Sequence, residues 1–222
     1  MFPWAQIDTV LLDMDGTLLD LHFDNHFWLS LVPETLSQQR GVTRGEAQQL
    51  VQQAYQQVEG TLNWYCLDYW AQELQLDILA LHYSITDKIR LRRDTVPFLL
   101  SLQQAGKRRI LLTNAHPDSL ELKLQHTDLA RHLDAMLSSH QLGVPKESPQ
   151  FWHQVFARFQ LDPARCLFVD DSEKILNAAS QAGVGYLLGI SNPDSHQPTK
   201  QFQQFPATDD YALVTQNLCI QQ

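Results

Sequence analysis

The stretch that most constrains the fold of this chain is a short apolar run that ends in two acids and a glycine. Residues 10–12 are apolar, and residues 13–17 read Asp-Met-Asp-Gly-Thr. A bounded apolar run of this kind is typical of a buried strand, which places Asp13 at the carboxyl end of the strand. Open α/β sheets bind their ligands at these ends. An ordinary acidic turn gives the same local pattern, because turns favour Asp and Gly.

Three further segments place polar side chains at the boundary of an apolar or helical pattern. The polar residues are Thr113 and Asn114 after one apolar run, Lys146 in a loop before a helical pattern, and Asp170 and Asp171 after another apolar run. Taken one at a time, these residues have simpler explanations. The pair Thr113 and Asn114 and the pair Asp170 and Asp171 could cap helices, and Lys146 could be a solvated surface lysine, the usual state of this residue type. A parallel sheet brings all of these segments to one edge, so together they predict a single site.

These residues resemble the motifs of the haloacid dehalogenase superfamily of phosphotransferases. The matching positions, in the order of the superfamily, are residues 13–17, Thr113, Lys146, Asp170 and Asp171. The resemblance implies a Rossmann-like α/β core and phosphoryl-transfer chemistry. It says much less about the substrate.

The resemblance also implies a role for each polar residue. Asp13 is expected to attack phosphorus and form an aspartyl-phosphate. Asp15 is expected to protonate the leaving oxygen and then to deprotonate the hydrolytic water. Thr113 and Asn114 are expected to bind the phosphoryl oxygens. Lys146 compensates the negative charge of the phosphoryl group and of Asp13.

The cofactor that this chemistry implies is Mg²⁺, a hard cation that prefers oxygen ligands. The candidate ligands are Asp13, the backbone carbonyl of Asp15, and one or both of Asp170 and Asp171. Resemblance to relatives with paired acids favours Asp171 as the direct ligand and Asp170 as its supporting partner. The sequence leaves the choice between the two acids open.

Other branches of the superfamily fit this chain poorly. Its dehalogenases lack the second acid that Asp15 provides, which disfavours halide displacement. Ion-pumping relatives carry Lys-Thr after the nucleophile and have membrane helices, and the sequence indicates neither. The phosphonate-cleaving branch uses a cap lysine, but the only lysine between residues 20 and 90 is Lys88, at the far edge.

The chain alternates strand and helix patterns except in one long segment. Strand patterns lie at about 9–12, 108–112, 135–138, 166–169 and 185–190, and the later ones alternate with helical patterns at about 94–105, 118–126, 148–159 and 172–182. This alternation predicts a doubly wound parallel sheet. Residues 20–91 instead predict helices at about 24–39, 43–58, 61–75 and 77–90. We therefore predict an α/β core domain of residues 1–19 and 92–222 and an inserted helical cap domain of residues 20–91, with residues 191–209 forming a loop before a short terminal helix.

Two groups of residues in the predicted cap each have two interpretations. Core packing explains most of the aromatic cluster, but one or two members could instead stack on a nucleobase; the cluster is Phe27, Trp28, Trp64, Tyr65, Tyr69 and Trp70. The polar residues after the first strand are explained equally by contact with a substrate and by capping of the first cap helix, with Asp24 or Asn25 as the cap; they are His22, Asp24, Asn25 and His26.

Composition limits the partners. The net charge of −9 argues against a nucleic acid polymer or an anionic membrane, and no apolar run approaches the ~18 residues of a membrane helix. The expected partner is a small-molecule phosphate ester, and the oligomeric state is left open. Cys66, Cys166 and Cys219 are expected to be reduced thiols of a cytoplasmic protein, and the spacing of cysteines and histidines does not indicate zinc.

A closer resemblance extends over essentially the whole chain, including the cap. Residues 18–28, 60–66, 109–117 and 191–195 are similar to the bacterial GMP/IMP 5′-nucleotidase branch of the superfamily. This similarity implies hydrolysis of purine nucleoside monophosphates to nucleoside and phosphate. Spacing alone indicates only a metal-dependent phosphoryl-transfer site. A sugar phosphatase, a mutase that retains the phosphoryl group, and a binding module that has lost catalysis are the alternatives.

Overall fold

The computed structural model describes residues 2–218 and is organised around one parallel sheet. Its strands are β1 (Thr9–Leu12), β2 (Arg108–Thr113), β3 (Ala135–Ser138), β4 (Cys166–Asp170), β5 (Tyr186–Ile190) and β6 (Ala207–Thr208). Their order is β3-β2-β1-β4-β5-β6, and every neighbouring pair is parallel. The predicted doubly wound α/β fold is confirmed.

The helices fall into two groups along the chain. Five lie between residues 20 and 91: α1 (His22–His26), α2 (Val32–Arg40), α3 (Arg44–Val58), α4 (Leu67–Leu74) and α5 (Ile78–Tyr83). The second group begins with α6 (Thr95–Gln104), which precedes β2, and continues among the later strands with α7 (Pro117–Gln125), α8 (Pro149–Phe159), α9 (Glu173–Gln181) and α10 (Tyr211–Thr215). None of the helices in residues 2–218 combines the length and the apolar character needed to cross a membrane.

The sheet is covered by helices on both faces, which explains why its strands read as continuous apolar runs. On one face, Leu12 of β1 belongs to an apolar cluster with Phe98 of α6 and Tyr211 of α10. On the other face, the adjacent Leu11 packs in a cluster that includes Trp152 of α8. Successive side chains of β1 therefore enter opposite layers, and the polar ends of the strands are left to form the site.

The helices α1–α5 form a layer with its own apolar cluster. Phe27 and Trp70 are among its fully buried members. A capping box begins α3: the Thr43 hydroxyl accepts from the backbone N–H of Glu46 at 3.3 Å, and the Glu46 carboxylate accepts from the Thr43 N–H at 2.8 Å. The two connections to this layer lie side by side, because Leu19 and Leu91 form an antiparallel bridge.

Several predicted boundaries were wrong. The helix predicted at 77–90 ends at Tyr83, and the chain continues through a 3₁₀ turn, Thr86–Lys88, that brings it back to the bridge beside the sheet. The helix predicted at 61–75 is divided into a 3₁₀ turn, Leu62–Tyr65, and α4. The predicted loop 191–209 contains β6, which pairs with β5 over two residues and is too short to show any periodicity. Cys66 and Cys166 are free thiols, and Cys219 lies outside the described residues.

His82 of α5 is buried in the helical layer among aromatic side chains. Its ring centroid lies 3.8 Å from that of Phe27 and 5.5 Å from that of Phe23. Within residues 2–218, neither ring nitrogen has a hydrogen-bond partner. Burial, helped by the charge of Lys123, lowers the pKa of His82 to about 3. The imidazole is therefore neutral and acts as a flat apolar group at neutral pH.

We expect His82 to make the fold less stable in acid. The unfolded chain binds a proton here below a pKa of 6.5, whereas the folded chain binds it only near 3. The free energy of unfolding should therefore fall by about 1.4 kcal/mol per pH unit between these values. His82→Phe should remove this component, as measured by denaturant unfolding at pH 7 and pH 5. His153→Phe, at an exposed position of α8, is the control. An unchanged pH dependence in His82→Phe would contradict the assignment.

Candidate active site

Lys146 joins two of the predicted carboxylates at the carboxyl edge of the sheet. Asp13 directly follows β1, and its N–H donates to the carbonyl of Val169 at 3.0 Å. The Nζ atom of Lys146 lies 2.5 Å from Oδ1 of Asp13 and 2.8 Å from Oδ2 of Asp170. Lys146 is only 1% exposed, so its interpretation as a solvated surface lysine is wrong. The indole of Trp152 donates to the Lys146 carbonyl at 2.8 Å and helps to hold this loop.

The electrostatics of the cluster formed by Lys146, Asp13 and Asp170 favour the binding of a cation. Burial, together with the neighbouring carboxylates, raises the pKa of Asp13 well above its ordinary value despite the nearby Lys146. Burial likewise raises the pKa of Asp170 to about 6. Burial alone lowers the pKa of Lys146, but Asp13 and Asp170 outweigh it, and the net shift is upward. One buried ammonium group therefore faces several carboxylates that it cannot fully neutralise.

The carboxylates of Asp13, Asp170 and Asp171 provide an oxygen donor set that fits a hard divalent cation. Their oxygen atoms lie within 4.8 Å of one another. Both oxygens of Asp170 already accept hydrogen bonds, from Lys146 and from the N–H of Ser172, each at 2.8 Å. The bond from the Ser172 N–H agrees with the helix-capping interpretation of Asp170. It occupies only one of the two oxygens of this carboxylate. Carboxylate oxygens grouped in this way are the ligands that Mg²⁺ prefers.

A glycine is required at position 16 because the backbone there passes close to the Asp171 carboxylate. Its φ is +80°, a conformation that side chains rarely adopt, and an added Cβ would lie 2.9 Å from Cγ of Asp171. The turn after the first motif therefore packs directly against the carboxylate at the end of β4. Asp171 also contacts Lys200, whose Nζ atom lies 3.0 Å from its Oδ2 atom.

Thr113 and Asn114 lie beside the carboxylates, but they do not cap the following helix. His116 is the N-terminal cap of α7. Thr113 Oγ1 accepts from the N–H of Ala115 at 3.0 Å, which leaves its hydroxyl proton available for a ligand. The side-chain oxygen of Asn114 accepts from the Lys146 N–H at 2.9 Å. Its amide nitrogen donates to the Glu147 carboxylate at 3.1 Å.

Sequence reasoning missed Glu147 and the contact that Tyr65, a member of the aromatic cluster, makes with it. The Tyr65 hydroxyl, which comes from the helical layer, donates to the second oxygen of Glu147 at 2.7 Å. Glu147 therefore connects Asn114 at the sheet edge to the helices above it. The acid follows Lys146 directly in the sequence, but nothing in its spacing indicates this contact.

Asp15 contacts a buried lysine that sequence reasoning also missed. The Nζ atom of Lys123 in α7 lies 2.8 Å from Oδ1 of Asp15 and 2.9 Å from both oxygens of Asp24 in α1. Lys123 is 1% exposed. Burial raises the pKa of Asp24 to about 7, and the charge of Asp15 adds to this shift. The only sequence signal is that Lys123 shares the buried face of α7 with Ser119 and Leu122.

The polar residues at the start of the helical layer do not cap its first helix. The N-terminal cap position of α1 is Leu21. Asp24 instead pairs with Lys123, and Asn25 donates to Asp194 at 2.7 Å. The capping interpretation is therefore wrong. Of the four polar residues, only Asp24 lines the cavity that also contains Asp13 and Asp15.

The predicted site residues line one cavity of about 270 Å³, a size that suits a small molecule. Its wall contains Asp13, Asp15, Thr113, Asn114, Lys146, Asp170 and Asp171. The helical layer contributes Trp28, Trp64, Tyr65 and His82 to the opposite wall. Of the aromatic cluster, Phe27 and Trp70 are fully buried core residues, as the packing interpretation predicts. Trp28, Trp64 and Tyr65 are the members available to a ligand.

Comparison with known proteins identifies the family. A family profile described as haloacid dehalogenase-like hydrolase matches residues 7–183. The GMP/IMP nucleotidase YrfG of Escherichia coli is 53% identical over 215 residues, covering 97% of this chain and 97% of that protein.

Solved structures agree with the fold. A HAD phosphatase from Thermococcus onnurineus superposes with a TM-score of 0.77 at 20% identity, covering 94% of this chain and 96% of that one. The L-2-haloacid dehalogenase of Xanthobacter autotrophicus has a TM-score of 0.59 at 19% identity, covering 83% and 78%. The family profile extends over most of the chain and includes all of the clustered acids. The chain belongs to the haloacid dehalogenase-like hydrolases.

Proposed function

We propose that this hydrolase cleaves purine nucleoside 5′-monophosphates, GMP and IMP, to nucleoside and inorganic phosphate. The observation that carries the proposal is the 53% identity, over 97% of both chains, to a relative named as a GMP/IMP nucleotidase. The cluster of Asp13, Asp15 and Lys146 in one small-molecule cavity supports it. The free thiols Cys66 and Cys166 are consistent with the cytoplasmic location that the sequence predicts.

In the first step, Asp13 attacks phosphorus while Asp15 acts as the general acid. An oxygen of the Asp13 carboxylate forms a bond to phosphorus, and the bond from phosphorus to the 5′-oxygen of the nucleoside breaks. Asp15 donates its proton to the departing oxygen. Lys146, 2.5 Å from Asp13, compensates the charge of the nucleophile and of the phosphoryl group. The Thr113 hydroxyl donates to a phosphoryl oxygen.

In the second step, water hydrolyses the aspartyl-phosphate. Asp15, now ionised, accepts a proton from the attacking water, and the phosphorus–oxygen bond to Asp13 breaks. Phosphate and the free Asp13 carboxylate are the products. The contact between Lys123 and Asp15, at 2.8 Å, keeps the Asp15 carboxylate in one position through both steps.

Mg²⁺ is the cofactor that we assign to the carboxylate cluster. Asp13, Asp171 and the backbone carbonyl of Asp15 would hold it. Asp170 would support the site from behind, because both of its oxygens are already engaged by Lys146 and Ser172. When bound, the ion neutralises charge on the phosphoryl oxygens and on the nucleophile.

We assign the nucleoside to the side of the cavity formed by the helical layer. Trp28, Trp64 and Tyr65 present aromatic surface there, and flat rings of this kind stack on purine bases. Residues 20–91 would then act as a cap that closes over the substrate and excludes water. Residues 1–19 and 92–222 would form the core domain that holds the reacting groups.

The proposal predicts metal-dependent release of phosphate from GMP and IMP. Release would be measured from GMP, IMP, AMP, UMP, glucose 6-phosphate and β-glucose 1-phosphate, with Mg²⁺ and with EDTA. We expect kcat/KM for GMP and IMP to exceed that for the other esters by about tenfold or more. EDTA should abolish release, because the acids then repel the anionic ester.

The outcomes separate the alternatives. Preference for a sugar phosphate would retain the chemistry and reject the nucleotide proposal. Conversion of glucose 1-phosphate to glucose 6-phosphate without release of phosphate would identify a mutase. Full activity in EDTA would contradict the assignment of Mg²⁺.

A further inference from the structure

Three side chains of the types that bind transition metals meet beside the active-site cavity. Cys66 precedes α4, His116 precedes α7, and His140 lies in the 3₁₀ turn Ser139–Gln141 after β3. Their sulfur and nitrogen atoms lie within 4.8 Å of one another. The three segments are distant in the chain, which is why the spacing of cysteines and histidines in the sequence does not indicate a metal site.

His140 and Cys66 each offer an atom that a metal could bind. Nε2 of His140 is buried and has no hydrogen-bond partner within residues 2–218. Buried polar atoms without a partner are uncommon in folded proteins, and a bound ion can supply the missing contact. Cys66 is a free thiol.

The orientation of His116 favours a ligand on its Nε2 atom. Its Nδ1 atom lies 3.6 Å from Oδ2 of Asp118, so in the tautomer that binds a metal through Nε2 the Nδ1–H faces this carboxylate. Nε2 of His116 lies 3.6 Å from Oδ2 of Asp68, an exposed carboxylate in the first turn of α4. The acid is therefore close enough to complete a donor set of four groups.

This donor set differs in kind from the carboxylate cluster. Thiolate and imidazole are ligands of Zn²⁺, whereas Mg²⁺ prefers oxygen. With Zn–N and Zn–S bonds of about 2.0 and 2.3 Å, the ligand atoms of a tetrahedral site lie about 3.5 Å apart. Side-chain rotations can close the remaining gap. We propose that Cys66, His116 and His140 form a Zn²⁺ site, with Asp68 as the fourth ligand.

A metal bound here would connect the two walls of the cavity. Cys66 and Asp68 belong to the helical layer, whereas His116 and His140 follow strands of the sheet. His116 also lines the cavity. Zn²⁺ would thus hold the helical layer against the sheet, and it would inhibit turnover by hindering substrate entry and product release.

The first test uses Co²⁺ as a spectroscopic probe of the full chain, with Mg²⁺ present in excess to fill the carboxylate cluster. Wild type should bind one equivalent and show a sulfur-to-cobalt charge-transfer band with ligand-field bands of tetrahedral intensity. Cys66→Ser should lose the charge-transfer band. Cys219→Ser, the matched control, should retain it. A band that depends on Cys219, or no band in wild type, would overturn the proposal.

The second test measures affinity and inhibition by Zn²⁺. His140→Ala should weaken Zn²⁺ binding about 100-fold, as measured by competition with a chromophoric chelator. Its circular dichroism and thermal unfolding should match wild type, which excludes misfolding as the cause.

Zn²⁺ should inhibit wild-type turnover at saturating Mg²⁺ but not that of Cys66→Ser. Equal inhibition of both proteins would assign the effect to the carboxylate cluster and reject the second site.

Discussion

Asp13→Asn is expected to abolish release of phosphate from GMP, with a loss of kcat on the order of 10⁴-fold or more. The substitution keeps the shape of the side chain but removes the oxygen nucleophile. Asp170 is not free to replace it, because both of its oxygens are engaged by Lys146 and Ser172. The measurement is single-turnover release of phosphate with saturating Mg²⁺ and GMP.

The same variant should fold at least as well as wild type. Burial raises the pKa of Asp13, so its ionised form opposes folding at neutral pH, and a neutral amide removes that penalty. Thermal unfolding should therefore occur at an equal or higher temperature. Asp8→Asn is the control: this acid pairs with Arg165 on an exposed surface, and its loss should leave kcat unchanged. Near-normal turnover in a folded Asp13→Asn would refute the role of Asp13 as the nucleophile.

The positions of the strand-end residues could be predicted because they depend on one local rule. Asp13, Thr113 and Asp170 each follow or end a buried apolar run, and parallel strands bring their carboxyl ends to one edge. The runs are recognisable because helices cover both faces of the sheet. Hydrophobic pattern alone therefore determines which polar side chains meet. Lys146 follows no strand, and only its place in the motif order predicted its contact with Asp13.

Contacts that depend on how the helical layer packs on the sheet could not be predicted. Glu147 meets Tyr65 across 82 positions of sequence, and Lys123 meets Asp24 across 99. No periodic pattern encodes such distances. A lysine on the apolar face of α7 has an unusual position, but the sequence does not say which acids neutralise it.

Lys123→Met is expected to reduce kcat about 100-fold and to shift the pH–rate profile to higher pH. Lys123 is a positioning residue: its ammonium group fixes the Asp15 carboxylate at 2.8 Å and holds Asp24 beside it. Without it, the general acid loses its orientation, and this kind of catalysis contributes factors of roughly 10²–10⁴. The loss of the positive charge of Lys123, which lowers the pKa of Asp24, also favours the protonated form of that carboxyl group. The measurements are kcat and kcat/KM for GMP from pH 5 to 9.

Lys123→Met should also lower the free energy of unfolding. The pH dependence of this loss distinguishes it from the effect on kcat. Removing one partner of a buried ion pair costs about 3–5 kcal/mol where a charge is left uncompensated. The cost should be smaller below the pKa of Asp24, about 7, because a protonated carboxyl needs no partner. Adding Asp24→Asn should therefore restore much of the stability but not kcat, because the support of Asp15 is still missing.

Lys107→Met is the control for a purely structural lysine. Lys107 donates to the carbonyls of Trp4 and Ile7, each at 2.8 Å and away from the cavity. Its loss should lower stability without changing kcat or the pH–rate profile. If Lys123→Met behaves in the same way, its role is structural and the helical layer does not support the general acid. If only Lys123→Met shifts the profile, the contact that orients Asp15 also links the catalytic edge to α1, where the helical layer begins.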